Sequence, residues 1–187
     1  MRMDMNIPEW LRHARSKWAH TGGGRPDFAE TPGPGQESVW DYPRPPAVVP
    51  DSRQVIVRAE GEELARTRRA VRILETASPP TFYIPVDDVR IELMRPASGS
   101  SMCEWKGQAR YWALRDAPES APAVAWSYQD PFPEFAEIKG HMAFYPARVD
   151  CTVAGEEVFS QPGGFYGGWI TPEIVGPWKG APGSGGW

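Results

Sequence analysis

Apolar and polar positions alternate through the middle of the chain, and turn-forming residues interrupt the alternation often. Val55, Ile56 and Val57 run into Glu60-Gly61-Glu62, and Leu64-Ala65-Arg66-Thr67 follows, which predicts a β-hairpin. Residues 68–76 fit either element: Val71, Leu74 and Glu75 suit a helix, whereas Val71 and Ile73 suit a strand. Ser78-Pro79-Pro80 predicts a break, after which residues 81–84 read as a strand ending at Pro85, which has no N–H for a central ladder. Val89, Ile91 and Leu93 alternate with Arg90, Glu92 and Met94, predicting a half-buried strand, with a loop over residues 96–101. Further strands are predicted over residues 124–128, 141–145 and 148–153, the last turning back at Ala154-Gly155-Glu156. Many short strands between frequent turns predict a mainly β fold, a compact antiparallel sandwich or open barrel.

The two ends follow other patterns. Residues 8–18 predict a short helix: Asn6 can cap it, Pro8 suits its first turn, and Trp10, Leu11, Ala14 and Trp18 recur at helical spacing. Its two indoles are expected to dock on the main domain or on a second subunit, because so short a helix is unstable alone. Thr21-Gly22-Gly23-Gly24-Arg25 is not a phosphate loop, since no β-run precedes it and the Gly-Lys-Ser/Thr is missing. Residues 22–35 are expected to run extended over the surface, and Trp40 and Tyr42 to pin the Pro-rich segment after them. From Gln161 onward the chain is rich in glycine yet carries Phe165, Tyr166, Trp169, Trp178 and Trp187. A solvated tail rarely holds that much apolar area, so this arm is expected to wrap the domain and to cover a neighbouring subunit in a homo-oligomer, a dimer. The expected division is helix and linker over 1–35, β domain over 36–160 and arm over 161–187.

The chemistry concentrates in Cys103-Glu104-Trp105-Lys106-Gly107-Gln108-Ala109-Arg110-Tyr111-Trp112. Read as one strand, Cys103, Trp105 and Gly107 face one way and Glu104, Lys106 and Gln108 the other. Lys106 beside indole faces is either held by cation–π contact or desolvated until its pKa drops toward neutrality, which suits acid–base or Schiff-base chemistry. A salt bridge to Glu75 or Glu104 is the structural alternative. Tyr83 and Tyr128 can supply phenol donors to a bound anion or carbonyl, or cap a core with a polar tip. Trp105 and Trp126 can wall a pocket or pack as core. Cys103 is either a nucleophile activated by Lys106 or a small buried hydrophobe, and His141 is a general base or an ordinary strand residue. A zinc site from Cys103, Cys151 and His141 lacks ligand spacing, so no metal and no cofactor is expected.

Bulk properties narrow the class. A chain of 187 residues, 41% hydrophobic, suits one domain with a real core, and 21 prolines and 19 glycines disfavour long helices. A net charge of -4 argues against a nucleic-acid partner. No apolar run approaches the roughly 20 residues that span a bilayer, so no membrane partner is expected. Two cysteines far apart read as free thiols, and with no apolar leader at the N-terminus the cytoplasm is the expected compartment.

Several of these stretches form a set. Glu37-Ser38-Val39-Trp40-Asp41-Tyr42-Pro43, Glu75-Thr76 with Pro80-Thr81-Phe82-Tyr83-Ile84-Pro85, Cys103-Glu104-Trp105-Lys106-Gly107, Trp126-Ser127-Tyr128 and Ala143-Phe144-Tyr145-Pro146 together resemble the bacterial family called domain of unknown function 427. The resemblance covers residues 36–158 and implies a compact β fold of the β-tent type. The family has carried a nucleotidyltransferase-like label. Nucleotidyl-transferring enzymes hold magnesium with spaced carboxylates, but Asp87-Asp88 is adjacent, and Glu62-Glu63 and Glu156-Glu157 sit by predicted turns. The Cys-x-x-Cys knuckles of zinc-binding β-tent proteins are not in the sequence.

The combined expectation is a small organic ligand in an aromatic-lined pocket. Lys106, Tyr83, Glu75 and Tyr128 would act on it by acid–base chemistry, with Trp105, Trp126, Cys103 and His141 as ligand contacts. A non-catalytic binding or sensor module, a homo-oligomeric interaction module and a nucleotidyltransferase are the alternatives.

Overall fold

The computed structural model describes residues 7–187, so the expected cap at Asn6 lies outside the described residues. Helix α1 (Glu9–Ser16) follows Pro8 and buries Leu11, which is 2% exposed. Trp10 is 53% exposed, so only one of the two indoles, Trp18, docks. Fifteen short strands follow. They are β1 (Glu37–Ser38), β2 (Ala47–Asp51), β3 (Val55–Ala59), β4 (Glu62–Thr67), β5 (Ala70–Glu75) and β6 (Ser78–Tyr83). Then come β7 (Met94–Cys103), β8 (Gly107–Leu114), β9 (Ala125–Tyr128), β10 (Met142–Phe144) and β11 (Asp150–Val153). The last are β12 (Glu156–Glu157), β13 (Phe159–Ser160), β14 (Trp169–Ile170) and β15 (Ile174–Val175). Among the described residues the fold is mainly β, with several antiparallel sheets, one short α-helix and no closed barrel. No helix among the described residues is long and apolar enough to cross a membrane.

Three sheets carry the architecture, in strand orders β2-β5-β6, β12-β11-β3-β4 and β10-β9-β8-β7. The β3–β4 hairpin turns at Glu60 and Gly61, both at positive φ, as a tight two-residue turn requires. Residues 70–75 resolve as strand β5, paired on both sides. Two exchanged hydrogen bonds of 2.8 Å between Ile84 and Met142 join the edge of the first sheet to the third. Adjacent side chains on these joined strands then feed opposite cores, because the strand period is two. Phe82, Ala125, Met142 and Phe144 enter one cluster with Val55, Val57 and Leu64. Tyr83, Trp126, Tyr128 and Ala143 enter the other with Ile73, Trp105 and Phe135. The candidate site lies on the second face.

Four expected elements are different. Pro79 and Pro80 lie inside β6 and do not break the chain; β6 is a sheet edge, where missing N–H groups are tolerated, and the turn comes earlier, at Thr76-Ala77. The strand expected at Val89–Met94 is instead a 3-10 turn at Ile91–Leu93; Val89 makes one isolated bridge and Ile91 is 39% exposed. The loop expected over residues 96–101 is part of β7, an edge strand with a bulge between Pro96 and Ser100. The stretch read as one strand from Cys103 to Trp112 is the tip and return of the β7–β8 hairpin.

The aromatic arm lies on its own chain. β15 pairs parallel with β1, and β14 pairs with β13. Trp169 is fully buried, stacks on Phe82 at 4.9 Å and donates from Nε1 to the Phe144 carbonyl at 3.0 Å. Trp40, also fully buried, donates to the Pro177 carbonyl at 2.9 Å, and so pins its Pro-rich segment beneath the arm.

Candidate functional site

The β7–β8 hairpin forms the floor of the site. Cys103 pairs with Gly107, so Glu104, Trp105 and Lys106 make the turn between them. Gly107 closes it at φ +98, a conformation that side chains with a Cβ rarely adopt. The turn, not strand alternation, sets the directions of these side chains. Trp105 goes into the core with Phe135 and Ile138, under the Arg15 guanidinium at 5.0 Å. Lys106 turns instead toward a cavity of about 300 Å³, where Cys103, Tyr83 and Tyr128 lie beside it. The expected opposition of Cys103 and Lys106 is therefore wrong, and both face the same space. Trp105 does not line that space and is corrected from ligand contact to core residue.

Neighbouring strands wall the cavity. Trp126 on β9 donates from Nε1 to the Tyr83 hydroxyl at 3.2 Å, and its ring packs 4.4 Å from Tyr145. Tyr83 and Tyr128 have ring centroids 6.3 Å apart. Burial pushes the Tyr83 phenol up to about 12 despite the pull of the Lys106 charge, and raises Tyr128 well above its ordinary value. Both phenols are therefore neutral donors at physiological pH.

Lys106 is only 9% exposed. Burial pulls its pKa down, yet the acidic groups Cys103, Tyr83 and Glu75 outweigh that pull, so the net direction is up. The expected drop toward neutrality does not occur, and the side chain is an ammonium. The alternative of a salt bridge fails as well. Glu75 pairs with Arg44 Nε at 3.3 Å, and Glu104 accepts from Trp18 Nε1 at 3.0 Å. Among the described residues no carboxylate lies within the 4.0 Å ion-pair distance of Lys106.

The cover comes from both ends of the chain. Trp18 follows α1, and Phe165, Tyr166 and Gly167 come from the arm. A Cβ on Gly167 would stand 2.2 Å from the Trp126 ring, so only glycine allows the arm this close. Gln161, 5% exposed, holds the arm in shape: its Nε2 donates to the Lys179 carbonyl at 2.7 Å and its Oε1 accepts from Gly168 N–H at 3.1 Å. Lys179 sets its ammonium 3.4 Å from the Trp18 ring centroid, inside the cavity lining. Burial depresses its pKa to about 8, helped by Arg44 and Lys17 and opposed by Glu75 and Glu104. The depressed amine expected at Lys106 is therefore found at Lys179.

Of the eight expected site residues, Lys106, Tyr83, Glu75, Tyr128, Trp126 and Cys103 line one cavity. His141 does not; it is only half-buried, with Nδ1 3.3 Å from the Lys139 carbonyl. Sequence reasoning missed Lys179, Gln161 and Tyr145 as site residues. The available signal for Lys179 was a single cation inside an arm whose tryptophans required docking. The Asp87-Asp88 pair lies outside the cavity, and Asp88 is held by Arg69 and Thr67.

A family model described as Domain of unknown function (DUF427) matches residues 47–155, more than half of the chain. That span is narrower than the expected 36–158. It contains the cavity floor and walls, and leaves out Trp18 and the arm. No curated protein matches the chain.

Proposed function

The chain belongs to the DUF427 family, whose description assigns no activity, and from that premise we propose that it binds a small organic molecule in the cavity over the β7–β8 hairpin and acts on it without a metal. The observation that carries this reading is the Lys106 ammonium, buried beside two neutral phenols under aromatic walls. A charged group fixed in an aromatic-walled hollow stabilises charge developing on a reacting atom better than one free in water. Lys106 then acts as electrostatic stabiliser or proton donor, Tyr83 and Tyr128 as hydrogen-bond donors, and Glu75 as the acceptor at the wall. Trp126 and Cys103 bound the ligand's body.

Thermal-shift screening of a metabolite library, followed by mass spectrometry of any hit for turnover, tests the reading. A ligand that stabilises the wild type and binds at least tenfold more weakly to Lys106→Met, with the circular dichroism unchanged, supports it. Ligands that bind equally to both proteins, or a library without a hit, would sink it. Binding with no product would leave a ligand-binding module and remove the catalytic step.

A further inference from the structure

We infer that the ligand is a small organic carboxylate with a flat apolar body, its carboxylate seated at Lys106. This inference rests on the small-molecule reading above and names the class that the cavity selects. An ammonium removed from water loses hydration that only an anion or a full set of acceptors can replace. Lys106 has no ion pair among the described residues, although it is 9% exposed. Tyr83, Tyr128 and Cys103 around it offer an O–H, an O–H and an S–H, all able to donate to an oxygen that enters.

The remaining charges agree. Five charged side chains line the cavity: Lys17, Lys106 and Lys179 as cations, Glu75 and Glu104 as anions. Both anions are engaged, Glu75 with Arg44 and Glu104 with Trp18, so the uncompensated charge in the hollow is positive. The protein as a whole carries -4, which makes the positive interior a local feature of the site and not of the chain. Of the three cations only Lys106 sits among the neutral donors Tyr83, Tyr128 and Cys103, and one ammonium in that setting suits a monoanion. Phosphate groups are characteristically held by arginine forks or helix N-termini, and among the described residues no arginine lines the cavity. Ile73, Trp126 and Tyr145 supply the apolar faces for a flat body, and a cavity of about 300 Å³ limits its size to that of a small metabolite.

Saturation-transfer NMR and calorimetry of the full chain at pH 7, with benzoate, benzamide, benzylamine and phenyl phosphate as probes, test the assignment. Benzoate is expected to bind at least tenfold more tightly than its neutral isostere benzamide, and Lys106→Met is expected to remove that preference. The comparison among probes needs only the wild type, so it decides the matter even if the variant fails to fold. Benzamide, benzylamine or phenyl phosphate binding as well as benzoate would overturn the carboxylate assignment and leave the cavity standing as a small-molecule site. Failure of every probe to bind would overturn both readings.

Discussion

Lys106 and Lys179 line the same cavity, yet their pKa values move in opposite directions. Lys106 comes from the hairpin inside the family-matched span, where Cys103, Tyr83 and Glu75 together move its pKa up. Lys179 comes from the arm outside that span, sits against an indole with Arg44 and Lys17 nearby, and drops to about 8. Burial penalises both ammonium groups, so depth alone does not decide protonation. The sign follows the groups beside each amine: Cys103 and Tyr83 favour the charged form of Lys106, whereas Arg44 and Lys17 disfavour that of Lys179. Floor and cover therefore contribute different things: a permanent cation from the floor, and an amine close to its titration point from the cover.

The sharpest way to break this contrast is to lift the cover. Trp169→Ala removes a fully buried indole, its stack on Phe82 and its hydrogen bond to Phe144. Truncations of this kind cost about 3–5 kcal/mol, and chemical denaturation is expected to show a loss of that size. A loss below about 1 kcal/mol would mean that the arm is not part of the cooperative fold. A gentler probe is Gly167→Ala, whose Cβ meets the Trp126 ring at 2.2 Å. Arm or indole must shift, at about 1–3 kcal/mol by the usual cost of overpacking. Trp126 and the arm are both expected to show altered NMR shifts, while Lys106 on the floor keeps its protonation. Unchanged stability and unchanged shifts would place the arm further from the wall than the structure does.

The floor was more legible in the sequence than the cover, and the reason is physical. Strand periodicity and turn chemistry are local, so the hairpin at Glu60-Gly61 and the strands carrying Tyr83, Trp126 and Phe144 could be read directly. Local patterns failed where tertiary position overrode them. Pro79, Pro80 and Pro96 look like breakers, but all three sit on edge strands that need no N–H on the outer side. Val89, Ile91 and Leu93 alternate correctly and yet form no strand, because the segment finds a single isolated bridge in place of a ladder. Within Cys103 to Trp112 the turn was concealed by flanking aromatics, and Gly107 at positive φ was the one residue that marked it. The arm has no period at all. Its docking could be expected from five aromatic residues, but which cation it would carry into the cavity depends on Gln161 and Gly168 meeting across a loop.

The finest test of the two lysines is the pH dependence of stability. The folded pKa of Lys179, about 8, lies below its ordinary 10.5. Below about pH 8 folded and unfolded chains both keep this proton, and the group contributes no slope. Above pH 8 the unfolded chain binds the proton more, so stability rises with pH through linkage. Tyr83 and Tyr145, both raised to about 12, work the other way: the stability they contribute is complete below their ordinary 10.0 and is lost as pH climbs toward 12. Between pH 8 and 10 the phenols add little slope, and the slope from Cys151, whose buried thiol is raised above its ordinary 9.0, is shared by wild type and variant and cancels in their difference. There the stability difference between wild type and Lys179→Met is expected to shift steadily in favour of the wild type. The same comparison with Lys106→Met is expected to stay flat, because an amine whose pKa is raised keeps its proton in both states throughout the window. Denaturant midpoints measured at half-unit pH steps distinguish the two. A flat line for Lys179→Met would show that the cover holds an ordinary ammonium, and the two halves of the site would then be alike in the one property that separates them.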